Sequence, residues 1–196
     1  MAEVRAAHRR EVAPIAHMLA RAFLEDPVSV AFFPDPARRP AHLRRFFAAQ
    51  LIHHYLPRGE VATSDSLESA ALWMPPRPRP ARLADRVALG ATALSFGRAY
   101  PLAQRLGAVL ARRHPRVPHY YLGILGTDPV HQRHGHASAL LAPMLERCDT
   151  EGALAYLECS LEANLAFYAR FGFAVREEVL VTRTGPRLWL MERRAR

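Results

Sequence analysis

Residues 119–137 read HYYLGILGTDPVHQRHGHA, and this stretch constrains the chain more than any other. An apolar run that suits a buried strand ends in the turn signal Thr127-Asp128-Pro129. It then passes through Gln132-Arg133-His134-Gly135-His136-Ala137 and enters apolar residues at helical spacing. Such a strand-loop-helix unit favours anions: the first helix turn has unpaired N–H groups, and the helix dipole attracts negative charge. Gly135 allows close backbone approach to a ligand, or a positive φ without Cβ strain. Alone, the loop is a generic phosphate cradle. It gains meaning from a second segment downstream, Glu158-Cys159-Ser160 followed by Asn164 and Phe167-Tyr168.

The rest of the chain supplies a frame for that unit. Residues 4–6 suit a short strand. Val12, Ile15, Ala16, Leu19 and Phe23 recur at helical spacing and predict an amphipathic helix over 9–24. Prolines 27, 34, 36 and 40 mark a connecting loop, and Leu43, Phe46, Phe47 and Leu51 a second helix that ends before Pro57. Strands are expected over 60–63 and 69–74, joined as a hairpin by polar residues 64–68. Residues 81–113 favour helix, interrupted near Gly97 and Pro101. Then follow a strand over 119–126, a helix over 133–148 that contains Pro143, a strand over 153–159, a helix over 161–171, and closing strands over 173–181 and 187–192. This order predicts an α/β (α+β) fold around one mixed sheet of about six to seven strands flanked by helices. The first half alone offers too few strands for its own sheet, so residues 1–196 are expected to form one domain.

Composition narrows the function. Half of the 196 residues are apolar, enough for a core, and the 23% charged fraction does not suggest disorder. The two cysteines, Cys148 and Cys159, have no metal-type spacing and read as reduced thiols. No apolar run reaches membrane-spanning length, and the N-terminal residues Glu3, Arg5, Arg9, Arg10 and Glu11 leave no signal-peptide core, so cytoplasm is the expected location. The formal charge is +9, carried entirely by Arg, since the chain has no Lys. That excludes a Schiff-base or Lys-base mechanism. Compositional bias accounts for the Arg excess better than attraction to an anionic ligand such as a nucleotide cofactor does. The arginines are scattered rather than gathered with aromatics, which disfavours nucleic-acid binding. His131, His134 and His136 supply three imidazoles, but no carboxylate or Cys completes a recognised metal pattern, so no metal is expected.

On these motifs the second half resembles the GNAT superfamily of acyl-CoA N-acyltransferases, in particular puromycin N-acetyltransferase-like proteins. The matching elements run from Gly126-Thr127-Asp128-Pro129 through the QxxGxA loop at 132–137, Ala139-Leu140-Leu141 with Pro143, and Leu157-Glu158-Cys159-Ser160. They continue through Asn164, Phe167-Tyr168 and Phe171-Gly172-Phe173 to Gly185-Pro186-Arg187 and Trp189. Arg133 and His134 depart from the small or basic residues usual in that loop. The resemblance implies acetyl-CoA as co-substrate, its pyrophosphate held by Gln132, Arg133, His134, Gly135, His136, Ala137 and Ser138. It implies that the backbone of Leu125, Gly126 and Thr127 pairs with the pantetheine arm, that Asn164 also binds that arm, and that Tyr168 protonates the departing thiolate.

The expected activity is direct transfer of an acetyl group to a primary amine of a small molecule, an aminonucleoside or antibiotic-like compound being one option. Glu158 is the first candidate for general base, equally readable as a structural carboxylate paired with Arg. His119, at the other end of its strand, is the weaker candidate. A peptide N-acetyltransferase and a non-catalytic acyl-CoA-binding regulatory module are the alternatives. Oligomeric state is not readable from these features.

Overall fold

A computed structural model describes residues 3–183 and 185–196, apart from the side chains at 91–95. Strand β1 (Val4–Ala6) leads through a 3-10 turn at Arg9–Glu11 into α1 (Val12–Ala22). The predicted loop over 27–40 is instead partly helical. Asp26 accepts hydrogen bonds from the Val28 and Ser29 N–H groups, and Pro27 occupies the first turn, so a short α2 (Pro27–Phe32) forms where the prolines suggested none. Helix α3 (Arg39–Gln50) runs on through a π-helical turn at Leu51–Tyr55 into the short α4 (Leu56–Arg58). The hairpin follows as β2 (Glu60–Ser64) and β3 (Ser69–Met74). Helices α5 (Leu83–Ala93) and α6 (Tyr100–Arg113) flank a 3-10 segment in which Gly97 takes φ +51°. The remaining elements are β4 (His119–Thr127), α7 (His136–Thr150), β5 (Leu154–Cys159), α8 (Leu165–Arg170), β6 (Ala174–Leu180) and β7 (Arg187–Arg193).

The strands form one seven-stranded sheet in the order β1-β2-β3-β4-β5-β7-β6. Every neighbouring pair is antiparallel except β4 and β5, which are parallel. Period-2 alternation sends successive side chains to opposite faces. Along β3, Ala70 and Leu72 pack with Ile15 and Leu19 of α1 and Leu43 and Phe47 of α3, whereas Ala71 and Trp73 pack with Leu140, Leu141 and Met144 of α7. The sheet is therefore covered on both faces, which explains why β3 is buried along its whole length.

The feature that shapes the site lies in β4. Leu122 pairs with Trp73 and Ile124 with Leu72, so Gly123 is an extra, bulged residue. A bulge bends its strand and increases the local twist. At the same point pairing with β5 stops: the parallel ladder runs from His119 opposite Leu154 to Leu122 opposite Leu157 and no further. Beyond it β4 stays paired to β3, and β5 to β7, so the two strands diverge and leave an opening between them. Gly123 is required here because a Cβ would lie 1.9 Å from the Tyr55 hydroxyl, which is fixed by the π-helical turn. Gly123→Ala is expected to lower stability by about 1–3 kcal/mol through overpacking. The cost should shrink in a Tyr55→Phe background, which chemical denaturation of the double-mutant cycle will read.

Candidate active site

The opening between β4 and β5 is the mouth of a cleft of about 600 Å³. The sequence-predicted site residues line it except His134, which is exposed to solvent, and His119, the weaker candidate base, which stands at the far end of β4 outside the lining. From β4 come Leu125, Gly126 and Thr127; from the loop and first turn of α7 come Gln132, Arg133, Gly135, His136, Ala137 and Ser138; from β5 and α8 come Glu158, Asn164 and Tyr168. The fold also brings in Phe23 and Asp26, which the motifs did not announce, and Gly123, His131 and Ser160, to which they gave no catalytic or cofactor role.

The loop holds its shape through backbone conformation. Arg133 takes φ +64° and Gly135 φ +84°, both left-handed. Two such residues cannot continue a helix, which is why α7 starts at His136 rather than at residue 133 as its sequence pattern suggested. Gln132 reaches back to donate to the Thr127 carbonyl at 3.3 Å, tying the loop to the end of β4. Asp128 caps the intervening turn and is gripped by the Arg21 guanidinium of α1, which holds its carboxyl below the ordinary value. Glu68 lies 3.5 Å from His131 Nε2 and 3.4 Å from His136 Nε2. Thr127 Oγ1 and His136 Nδ1 are buried with no hydrogen-bond partner among the described residues. Unpaired helix N–H groups, left-handed loop residues and orphaned polar atoms together make a cradle suited to a phosphate-bearing ligand.

Across the cleft, Tyr168 packs into the α7 side of the core with Leu157 and Cys159, and desolvation holds its hydroxyl protonated well past the ordinary range. Asn164 ends a 3-10 turn at Glu162–Asn164 and caps α8, so the helix predicted over 161–171 is shorter than its pattern, yet both residues still reach the cleft. Glu158 projects to the opposite face, where its side chain is only 8% exposed. Tyr121 donates to its Oε2 at 2.6 Å, and Oε1 has no hydrogen-bond partner among the described residues. Burial pushes the Glu158 carboxyl above the ordinary carboxylate value, against the opposing pull of Tyr121, Tyr156 and Arg176. Among the described residues no Arg bonds it, although one sequence reading allowed such a pair: its hydrogen-bond partner is Tyr121, and His114 Nε2 lies 3.7 Å away. Asp26 lies on the same side of the cleft, bonded by the Ser160 hydroxyl, and is likewise raised by burial. The site thus presents a buried phenol on one face of the sheet and buried carboxyls on the other, with the diverging ends of two strands between them.

Comparison with known proteins agrees with this geometry. Residues 64–173, more than half of the chain, match the acetyltransferase (GNAT) family, and the chain belongs to it. A crystal structure of histone acetyltransferase HPA2 and related acetyltransferase from Corynebacterium glutamicum superimposes with a TM-score of 0.75 at 28% identity, covering 100% of this chain and 98% of that one. Arylalkylamine N-acetyltransferase 2 from Aedes aegypti shares the fold, with a TM-score of 0.60 at 15% identity over 99% of both chains. An uncharacterized N-acetyltransferase of Schizosaccharomyces pombe is 34% identical over 64 residues, which span 33% of this chain and only 26% of that protein.

The loop conformation can be checked directly. A Cβ at Gly135 would meet nothing within 4 Å. Gly135→Ala is nevertheless expected to cost about 1–2 kcal/mol, because only the left-handed backbone opposes it. A variant as stable as the parent in denaturant titrations would place residue 135 outside that conformation.

Proposed function

We propose that the protein is an acetyl-CoA-dependent N-acetyltransferase that acts on a primary amine of a small molecule. The observation that carries this reading is the divergence of β4 and β5 beyond Gly123, with Tyr168 on one side of the opening and Glu158 on the other. A phosphate cradle alone would suit many nucleotide ligands. A strand opening flanked by a proton donor and a buried carboxyl suits acyl transfer between two bound partners.

Acetyl-CoA would supply an activated thioester, with its pyrophosphate at Gln132, Arg133, Gly135, His136, Ala137 and Ser138 and its pantetheine arm along the free edge of Leu125, Gly126 and Thr127 beside Asn164. Backbone N–H groups on that edge would stabilise the oxyanion as the amine adds to the carbonyl carbon. Glu158 takes the proton that an ammonium must lose before it can attack, a role its raised carboxyl suits. Tyr168 gives a proton to the departing thiolate. No metal enters this scheme.

The acceptor side is formed by Phe23, Asp26, Gly123 and Ser160 beside Glu158. Two buried carboxyls and an aromatic ring in the cleft lining favour a cationic amine with an apolar body over a neutral or anionic acceptor. An aminonucleoside of the puromycin type and an arylalkylamine both fit that description. We place the protein in the cytoplasm, where acetyl-CoA is available, and assign it no membrane or nucleic-acid partner.

Thiol release from acetyl-CoA, followed across puromycin, phenylethylamine and an unblocked peptide, tests the activity. Turnover with a small amine is the expected result. Tight CoA binding without turnover of any amine would instead make the protein a binding module, and turnover of the peptide alone would move the acceptor class. Tyr168→Phe should lower turnover by about 10²–10⁴-fold at neutral pH. Glu158→Gln should lower it by a comparable factor at pH 7, the loss shrinking toward high pH, where the amine arrives already neutral.

A further inference from the structure

Glu158 is nearly sealed from water even before ligands fill the cleft, so a proton it accepts needs a way out through the protein. The groups around it define one. Facing it are the hydroxyls of Tyr55, Tyr121 and Tyr156, the Arg176 guanidinium and the imidazole of His114. The three phenols are held protonated by burial. Arg176 is occupied by Glu192 and the Arg113 carbonyl and lies over the Tyr156 ring. Only His114 leads away from the cleft. Its Nε2 is 3.7 Å from Glu158 Oε1, roughly 0.5 Å beyond hydrogen-bond range and within reach of a small rotation. On its other side, His114 Nδ1 is 3.0 Å from His119 Nε2, and His119 Nδ1 is 2.8 Å from the Val117 carbonyl.

The polarity of this chain follows from its far end. A carbonyl oxygen only accepts, so His119 carries its proton on Nδ1. In that tautomer His119 offers a lone pair at Nε2, to which His114 donates from Nδ1. Burial, with His119 and Arg176 nearby, lowers the His114 pKa to about 4, so that ring is neutral at pH 7 and its Nε2 lone pair faces Glu158 Oε1. Oε1 is the carboxyl oxygen that Tyr121 does not bond. The chain is therefore set to receive a proton from Glu158, not to give it one. Pro115 and Pro118 limit the backbone freedom between the two histidines, and their rings pack 4.9 Å apart and against Tyr156. His119 opens β4 opposite Leu154, four residues or roughly 13 Å of strand from Glu158, and is partly exposed to solvent.

We propose that His114 and His119 form a proton relay that carries the proton taken by Glu158 from the cleft to solvent at the start of β4. The amine loses one proton to a Glu158 carboxylate oxygen. The carboxyl passes a proton to His114 Nε2, His114 passes its Nδ1 proton to His119 Nε2, and His119 releases its own Nδ1 proton to water. Both rings then hold their proton on Nε2, and each returns to its starting tautomer by losing that proton to water and taking one from water at Nδ1, an exchange open to both because each is partly exposed, so that the net change is one proton moved from the amine to water. This proposal rests on Glu158 as the base, and it makes His119 a relay residue rather than the base itself.

Two measurements on the full chain test it. The first needs no acceptor: nitrogen-resolved NMR of the histidine rings at pH 7 should find His114 neutral with its proton on Nδ1, and a proton on Nδ1 of His119. A charged His114, or one protonated on Nε2, overturns the relay. The second is kinetic, with acetyl-CoA and puromycin, or phenylethylamine if that is the amine accepted. His114→Phe keeps a flat ring and should lower kcat about 10- to 100-fold at pH 7 with KM for acetyl-CoA unchanged. The loss should fade at high pH and be partly restored by imidazole buffer. His119→Gln, at the solvent end, should show the same pattern more weakly and guards against misfolding of the first variant. If Glu158→Gln lowers turnover while both histidine variants match the parent at every pH, the relay falls and the base stands. If Glu158→Gln has no effect, both fall together.

Discussion

The contact between the Tyr55 hydroxyl and the missing side chain of Gly123 is the constraint on which the site depends. Tyr55 is buried at the end of a π-helical turn, and its ring reaches the strand where a Cβ would otherwise stand. The strand accommodates it with a bulge, and the bulge is where β4 parts from β5. A regular β4 would go on pairing with Glu158 and Cys159 and close the sheet. The opening therefore follows from one aromatic side chain and one glycine, and the cleft, the free strand edges and the separation of Glu158 from Tyr168 all follow from the opening.

The two sides of that opening differ in how they handle charge. The loop at 132–137 collects donors: helix N–H groups, Arg133 and imidazoles held near Glu68. The side lined by Glu158 and Asp26 collects carboxyls in low-dielectric surroundings, where each prefers its neutral form more than it would in water. An anionic donor and a cationic acceptor would be sorted to opposite ends of one cleft without any moving part. The parallel strand pair, alone in an otherwise antiparallel sheet, is what lets the ends of β4 and β5 point into the same cleft.

Most of the frame was legible in the sequence because it rests on periodicity. The largely apolar strand runs at 69–74 and 153–159, the helical spacing around Ile15 and Leu19, and the break at Gly97 all appear where the pattern put them. What the pattern misplaced depended on single residues acting on the backbone. Asp26 starts a helix among prolines that read as loop. Arg133 and Gly135 hold positive φ and delay α7 by nearly a turn. In the site, the loop, Asn164 and Tyr168 were visible because their spacing is local. Asp26, Tyr55 and His114 were not, because each meets the cleft lining across more than thirty residues of chain: Asp26 meets Ser160, Tyr55 meets Gly123, and His114 meets Glu158. A close signal existed for Asp26, a capping residue just before Pro27, and could have been read from the sequence. For the other two only the fold reveals the partner.

The central claim is that the unpaired edge of β4 beyond Gly123, together with the loop that follows it, receives coenzyme A. Backbone hydrogen exchange of the full chain with and without coenzyme A tests this most directly. The account predicts slowed exchange at 124–127 and at 133–138, with the amides of β6 and β7 unchanged. Protection confined to other segments, or none at saturating coenzyme A, would contradict it.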